Sequence, residues 1–289
     1  MSSLLLTLAL SAVPASAAEV GTREVPVAVY TNEEVPVDDL KVDEIEIKED
    51  KKKRTVLGVE SDPRPVAVAL ILDSSEWMEG EYRATLVPAA MEFWKRLPPV
   101  ARLTIWTCGG KVSQVVDFGV EPEVAEPVLQ KVAVGGPIFA LDTMIDASRD
   151  LRRERGVRRV VVIVTDKRIQ ANKSLIQRTY QVIARARVTP MVVLVSNSST
   201  RGGGLRIGGE GEAWDVETIF EQMANGYGGS YELVLTPLAA RKMLSRVAAD
   251  IASQYLVRYE SDAEKPSVPE VKVKRKDVQV RAGLSQLAN

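Results

Sequence analysis

Histidine is absent from this chain. That absence removes Ser-His-Asp and Cys-His triads, imidazole zinc sites and histidine general bases in one step. Cysteine occurs once, as Cys108 at the end of the apolar run Leu103-Thr-Ile-Trp-Thr-Cys108. It forms no intramolecular disulfide and reads as a small buried residue. Neither sign of charge dominates: 38 Lys and Arg stand against 39 Asp and Glu. No global field therefore draws the chain to nucleic acid or to an anionic membrane. The basic cluster of Arg149, Arg152, Arg153, Arg155, Arg158 and Arg159 lacks the interleaved aromatics of a nucleic-acid surface. It fits the positive end of a helix instead.

Long apolar runs are also missing. Residues 4–13 are apolar but too short to span a bilayer, and they precede Pro14-Ala-Ser-Ala-Ala18, small residues of the kind signal peptidases cut after. Residues 1–18 are thus expected to be a signal peptide, and the mature protein to be exported to the periplasm, envelope or medium with no integral membrane segment. Arg201-Gly-Gly-Gly-Leu-Arg-Ile-Gly-Gly-Glu-Gly211 lacks both the dinucleotide register and a Gly-Lys-Ser/Thr ending, and carries Glu210. It reads as a loop excursion.

What is present is a change of period along the chain. Glu24–Tyr30, Glu44–Lys48 and Arg54–Val59 alternate apolar and polar residues, as half-buried antiparallel strands do. The run Glu49-Asp-Lys-Lys-Lys-Arg54 fits a solvated turn between the last two. From Pro65 to about Ser253, strands alternate with helices. Strands are expected at Val66–Leu72, Arg102–Cys108, Ser113–Phe118, Arg159–Thr165, Thr189–Ser196 and Gly229–Leu233. Helices are expected at Tyr82–Arg96, Glu123–Val132, Ala140–Arg155, Ala171–Ala186, Asp215–Ala224 and Leu238–Ser253. Gly109-Gly110 offers a two-residue hairpin. Trp94 and Trp106 read as core. Beyond the last helix, Tyr255–Tyr259, Val271–Lys274 and Val278–Arg281 alternate again. The expected fold is α/β: a doubly wound, mostly parallel six-stranded sheet inserted in a small antiparallel β-sandwich made by both chain ends. Residues 19–62 and 255–289 would supply the sandwich and residues 63–254 the α/β unit.

The uniformly apolar Val66–Leu72 ends abruptly in Asp73-Ser74-Ser75, and a similar strand ends in Thr165-Asp166. Ligands of open α/β sheets sit beyond such carboxyl ends. With Asp73-x-Ser75 in this position, the chain resembles the von Willebrand factor type A (VWA) family, in particular bacterial exported proteins with a VWA-related domain. In those proteins a Tyr-Leu-x-x-Tyr segment follows the last helix, matched here by Tyr255-Leu-Val-Arg-Tyr259. The resemblance covers about residues 24–283 and implies a metal-ion-dependent adhesion site of two serines, a threonine and two aspartates.

Asp73, Ser75 and Asp166 match that pattern. Trp77 stands where the second serine belongs, and Pro137 or Phe139, within Gly135-Gly-Pro-Ile-Phe-Ala-Leu141, where the threonine belongs. An indole only donates, and neither proline nor phenylalanine brings a side-chain oxygen. The metal site reads as degenerate, with Mg²⁺ weak or absent. Trp77 has two readings, an anchor for a partner or a lid packed on Met78 or Phe139, and packing is favoured. The leading function is an exported, non-enzymatic protein-interaction or adhesion-type module. Its unidentified protein partner would meet a rim of Trp77, Glu79, Gly136, Pro137 and Phe139, with the 202–211 loop beside it. The alternatives are a structural scaffold of an envelope assembly, or a hydrolase using Asp73, Ser75 and Asp166, for which no histidine base exists.

Overall fold

The computed structural model describes residues 21–196, 215–265 and 267–287. The expected signal peptide and the 202–211 loop lie outside the described residues. In chain order the elements begin with β1 (Gly21–Thr31), β2 (Ile45–Glu49), β3 (Lys52–Arg54), β4 (Val56–Ser61) and β5 (Val66–Leu72). Then come α1 (Val87–Arg96), β6 (Arg102–Thr107), β7 (Ser113–Val116), α2 (Pro122–Gln130), α3 (Ala140–Leu151) and β8 (Arg158–Asp166). They continue with α4 (Lys173–Ala186), β9 (Thr189–Val195), α5 (Val216–Gly226), β10 (Ser230–Val234) and α6 (Pro237–Ala252). Four strands close the series: β11 (Gln254–Ser261), β12 (Glu270–Val273), β13 (Val278–Ala282) and β14 (Gln286–Leu287).

Strand β5 shows why this sequence makes a two-faced sheet. All seven of its residues are buried. Val66, Val68, Leu70 and Leu72 pack with α1, α2 and α6. Ala67, Ala69 and Ile71 pack with α3, α4 and α5 on the other side. The sheet order is β10-β9-β8-β5-β6-β7, with β7 alone antiparallel. After β5 the chain runs outward through β6 and β7, then returns to lay β8 against the free side of β5. The direction of winding therefore reverses between β5 and β8, and the carboxyl ends of those two strands carry Asp73 and Asp166.

The helices start where capping groups stand. Asn172 Oδ1 accepts the Leu175 N–H at 2.9 Å, and Thr236 Oγ1 accepts that of Ala239 at 3.2 Å ahead of Pro237 at the first helical position. The segment expected as one helix from Tyr82 opens with a wider π turn, Tyr82–Leu86, before α1. The helix expected to reach Arg155 stops at Leu151.

Strand β1 is the spine of the second unit. It pairs antiparallel with β11, β13 and β14, while β4 pairs with β11. A separate sheet, β12-β2-β3, faces it. Val25, Val27, Val29, Ile45, Ile47, Tyr255, Val257 and Tyr259 fill the space between them. Strands from both ends of the described chain thus share one sandwich, with four strands from each side rather than the expected three.

Three further expectations need correction. Gly109-Gly110 is not a two-residue hairpin: β6 and β7 pair from Thr107–Ser113, leaving a five-residue loop pulled toward the sheet rim. The run Glu49–Arg54 is mostly strand. Only Asp50 and Lys51 form the turn, both at positive φ as a tight hairpin requires, and Glu49 is buried. Trp94 is half-buried at the edge of the core, whereas Trp106 is 8% exposed as expected.

Candidate functional site

Four loop segments meet at the switch point between β5 and β8. The segment after β5 enters with the Asp73 N–H donating to Val164 O at 3.0 Å, which extends the strand pairing by one residue. Ser74 O then accepts the Gly135 N–H at 2.8 Å, and the Glu76 N–H donates to Gly136 O at 3.2 Å. The loop after β6 is bound in by the Gly110 N–H to Pro137 O at 2.9 Å and the Phe139 N–H to Cys108 O at 2.7 Å. Gly109 lies flat against this knot: a Cβ there would stand 2.1 Å from the Ser74 carbonyl carbon. Only glycine fits. Gly136, at φ +74°, lies similarly against Gly110.

Asp73 is fully buried and is held by three donors. The Ser75 N–H reaches Oδ1 at 2.8 Å, while the Asp166 N–H and the Thr165 hydroxyl reach Oδ2 at 2.9 and 3.1 Å. The carboxylate thus ties the β5 end to the β8 end. Ser74 contributes as well, its Oγ accepting the Gly109 N–H at 3.1 Å. Ser75 is different. Its Oγ is buried and has no hydrogen-bond partner among the described residues.

Asp166 is 2% exposed. Burial raises its pKa above the ordinary carboxylate value, and the Asp73 charge adds to the rise. A backbone hydrogen bond and the charge of Arg168 oppose the shift without cancelling it. The Arg168 N–H donates to Asp166 Oδ1 at 2.9 Å, and its Nε lies 3.6 Å from the same oxygen. The guanidinium carbon sits 3.9 Å from the centre of the Trp77 ring. Trp77 itself is 46% exposed.

The structure thus gathers Asp73, Ser75 and Asp166 at one rim and lays Trp77 over it. Glu79, in the same segment as Trp77, is exposed, and so is Pro137 in the loop ahead of α3. Phe139 is half-buried ahead of α3, and Thr143 spends its hydroxyl on Phe139 O at 2.8 Å. Ile138 is wholly buried and bridges Gly109 and Ile169, so an apolar side chain fills this loop. Sequence reasoning missed Thr165, Ser74 and above all Arg168. The available signal was a basic pair, Lys167-Arg168, directly after an apolar strand, together with an aromatic in a hydroxyl position.

These residues do not fit a resident divalent cation. Mg²⁺ seeks several oxygen donors in a near-octahedral shell. Here one hydroxyl, that of Ser75, stands free. Both oxygens of Asp73 are engaged by protein donors, and Asp166 already faces a guanidinium.

No protein-family model matches the chain, and no curated protein matches it. Solved structures do. A von Willebrand factor type A protein from Catenulispora acidiphila aligns over 94% of this chain and 75% of its own, at 9% identity and a TM-score of 0.53. Proximal thread matrix protein 1 from the mussel byssus, solved with a zinc-occupied MIDAS motif, aligns over 69% of this chain at 11% identity and a TM-score of 0.51. This chain spans about half of that protein, 48%. Sheet order, the switch point between β5 and β8, and these alignments together show a von Willebrand factor type A-like fold.

Proposed function

We propose that this protein is a non-enzymatic interaction module, exported from the cytoplasm, whose binding face is the rim over Asp73, Ser75 and Asp166. The observation that carries the reading is Trp77, a large aromatic half in solvent at the switch point and fixed from beneath by Arg168. Tryptophan is enriched among the few residues that dominate binding energy, and a side chain already held in place loses less freedom on docking. Glu79, Gly136, Pro137 and Phe139 belong to the same proposed face. Within this reading residues 19–62 and 255–289 form the sandwich and residues 63–254 the VWA-like unit, a division supported by the β1–β11 pairing.

The chemistry of the rim supports an interaction role over a hydrolytic one. A serine nucleophile needs a hydrogen-bonded base, and Ser75 Oγ bonds neither carboxylate. Mg²⁺ has at most a weak place here, for the donor shortage already described. Among the described residues no helix is long and apolar enough to cross a membrane. The export part of the reading rests on the apolar segment and small residues before Glu19.

Crosslinked capture from the native envelope fraction, followed by affinity measurement on Trp77→Ala, tests the proposal. The expected result is a partner bound about 30-fold more weakly by the variant, roughly 2 kcal/mol, at nearly unchanged melting temperature. Unchanged affinity in a folded Trp77→Ala protein would remove Trp77 from the face. Native protein retaining residues 1–18 in the cytosol would overturn export.

A further inference from the structure

We infer that the Arg168 guanidinium is the resident cation of this rim, supplying from a side chain the positive charge and the loop-to-loop tie that a divalent ion would otherwise supply between the β5 and β8 ends. The inference stands on the rim's geometry and does not require that a partner binds there.

The tryptophan in the second serine's place then has a cause. A cation stationed beside Asp166 needs a surface on its other side, and the face of an indole is the best that a protein offers. Trp77 provides it, with the guanidinium carbon 3.9 Å from the ring centre. The tryptophan that cannot ligate a metal is therefore the group that holds the metal's replacement. Arg168 in turn reaches back to Asp166 through its own backbone N–H, at 2.9 Å, and through Nε, at 3.6 Å. Its side chain is only 18% exposed. Trp77 belongs to the segment after β5 and Arg168 to the segment after β8, so the stack joins the same two strand ends that Asp73 joins from below.

Charge balance supports the assignment. Two buried carboxylates, Asp73 and Asp166, stand together at the sheet rim. Backbone and hydroxyl donors satisfy Asp73, but they carry no full charge. Among the described residues, Arg168 is the formal positive charge in salt-bridge range of Asp166. A guanidinium stays protonated at every physiological pH, and its planar form suits stacking on one face and hydrogen bonding at its edge. A divalent ion brought to Asp166 would meet that fixed charge at close range, in surroundings that screen poorly. The rim is thereby set in one state, independent of the supply of free Mg²⁺ or Mn²⁺.

The test uses the whole chain and thermal melting in EDTA or in millimolar Mg²⁺ or Mn²⁺. Wild-type protein is expected to melt within about 1 °C in all three, because an ion that does not bind the folded state cannot stabilise it. Arg168→Ser is expected to melt about 2–6 °C lower in EDTA, and to recover at least half of that loss in Mn²⁺. A wild-type protein destabilised by EDTA would overturn the inference, since a metal would then be resident after all. A loss in Arg168→Ser that neither ion restores would also overturn it, reducing Arg168 to an ordinary stacking partner. Should Arg168→Ser fail to fold, Arg168→Lys decides. It keeps a cation, so EDTA indifference supports the assignment and a new need for divalent ions refutes it. Partner binding enters none of these readings, so their failure leaves the proposed binding face to its own test.

Discussion

Two of the buried carboxylate centres among the described residues differ in their surroundings. In the sandwich, Glu49 of β2 is 2% exposed and is met by three hydroxyls from the far side of the core. Tyr259 donates to Oε1 at 2.9 Å, Ser267 donates to the same oxygen at 2.7 Å, and Ser261 donates to Oε2. Arg54 stands 3.5 Å away. Burial alone would raise the Glu49 pKa, but the hydroxyls and the Arg54 charge outweigh it and hold the group below its ordinary value. At the rim, Asp166 shifts the other way, and Ser75 Oγ has no hydrogen-bond partner among the described residues. In the sandwich the Glu49 carboxylate itself is saturated with donors and joins two sheets, although Arg54 Nε beside it has no partner among the described residues. The rim centre is left with an unfilled hydroxyl and a carboxylate that burial disfavours, opposed chiefly by the backbone N–H and the charge of Arg168, with Lys167 adding to them. A fully satisfied polar network rigidifies, whereas an under-satisfied one lowers stability and is retained where something else depends on it.

The hardest way to break the sandwich side is Glu49→Ala. It leaves two buried hydroxyls, of Tyr259 and Ser261, and the half-buried one of Ser267 without their acceptor, and urea unfolding is expected to show a loss of about 3–5 kcal/mol. A loss below about 1 kcal/mol would show that the cage does not hold the two sheets together.

Acid separates the regions by sign. Hydrogen bonds from Arg275 hold Glu44 down to about 2, and hydrogen bonds from Arg54 and Lys52 do the same for Asp262. With Glu49 also depressed, the sandwich holds stability that is fully present above the ordinary carboxylate range and is lost as pH falls through the folded-state values, between about 4.5 and about 2. Asp166, with its raised value, instead loses an unfavourable charge as pH falls through it. Hydrogen exchange at pH 3 should therefore open β2, β3 and β11 before β5 and β8. Simultaneous opening, or the rim first, would contradict the comparison.

The smallest effects sharpen it most. Ser261→Ala removes a donor to a buried carboxylate and should cost about 1–2 kcal/mol, whereas Ser75→Ala removes a hydroxyl that bonds nothing and should change stability by less than about 0.5 kcal/mol or raise it. Equal costs for the two serines would mean that Ser75 is satisfied in solution as Ser261 is.

Much of the α/β unit was legible because each element carried its own local signal. Val66–Leu72 is uniformly apolar and is buried on both faces over those same residues. The alternation of Val25, Val27 and Val29 survives as the inward face of β1. Helix ends were less legible, since π turns and early termination depend on what the helix meets. The candidate site divided the same way. Asp73, Ser75 and Asp166 stand at strand ends that hydrophobicity marks, so their meeting could be read. Arg168 left only the basic pair Lys167-Arg168 as a signal, because its stack on Trp77 crosses between two loops and obeys no period. Glu49 was hidden by the charged company it keeps, and only the hairpin at Asp50-Lys51 turns it inward.

The β1–β11 ladder makes the sandwich depend on its insert in time as well as in space. Glu49 and Tyr259 are 210 residues apart along the chain, and an unfolded loop of that length closes slowly. Once the α/β unit has folded, β4 leads directly into β5 and α6 directly into β11, so the two halves of the sandwich start out as neighbours. Assembly should therefore run outward from the inserted unit. Damage to the α/β core would then delay the sandwich, while damage to the sandwich would leave the α/β unit to fold at its own pace.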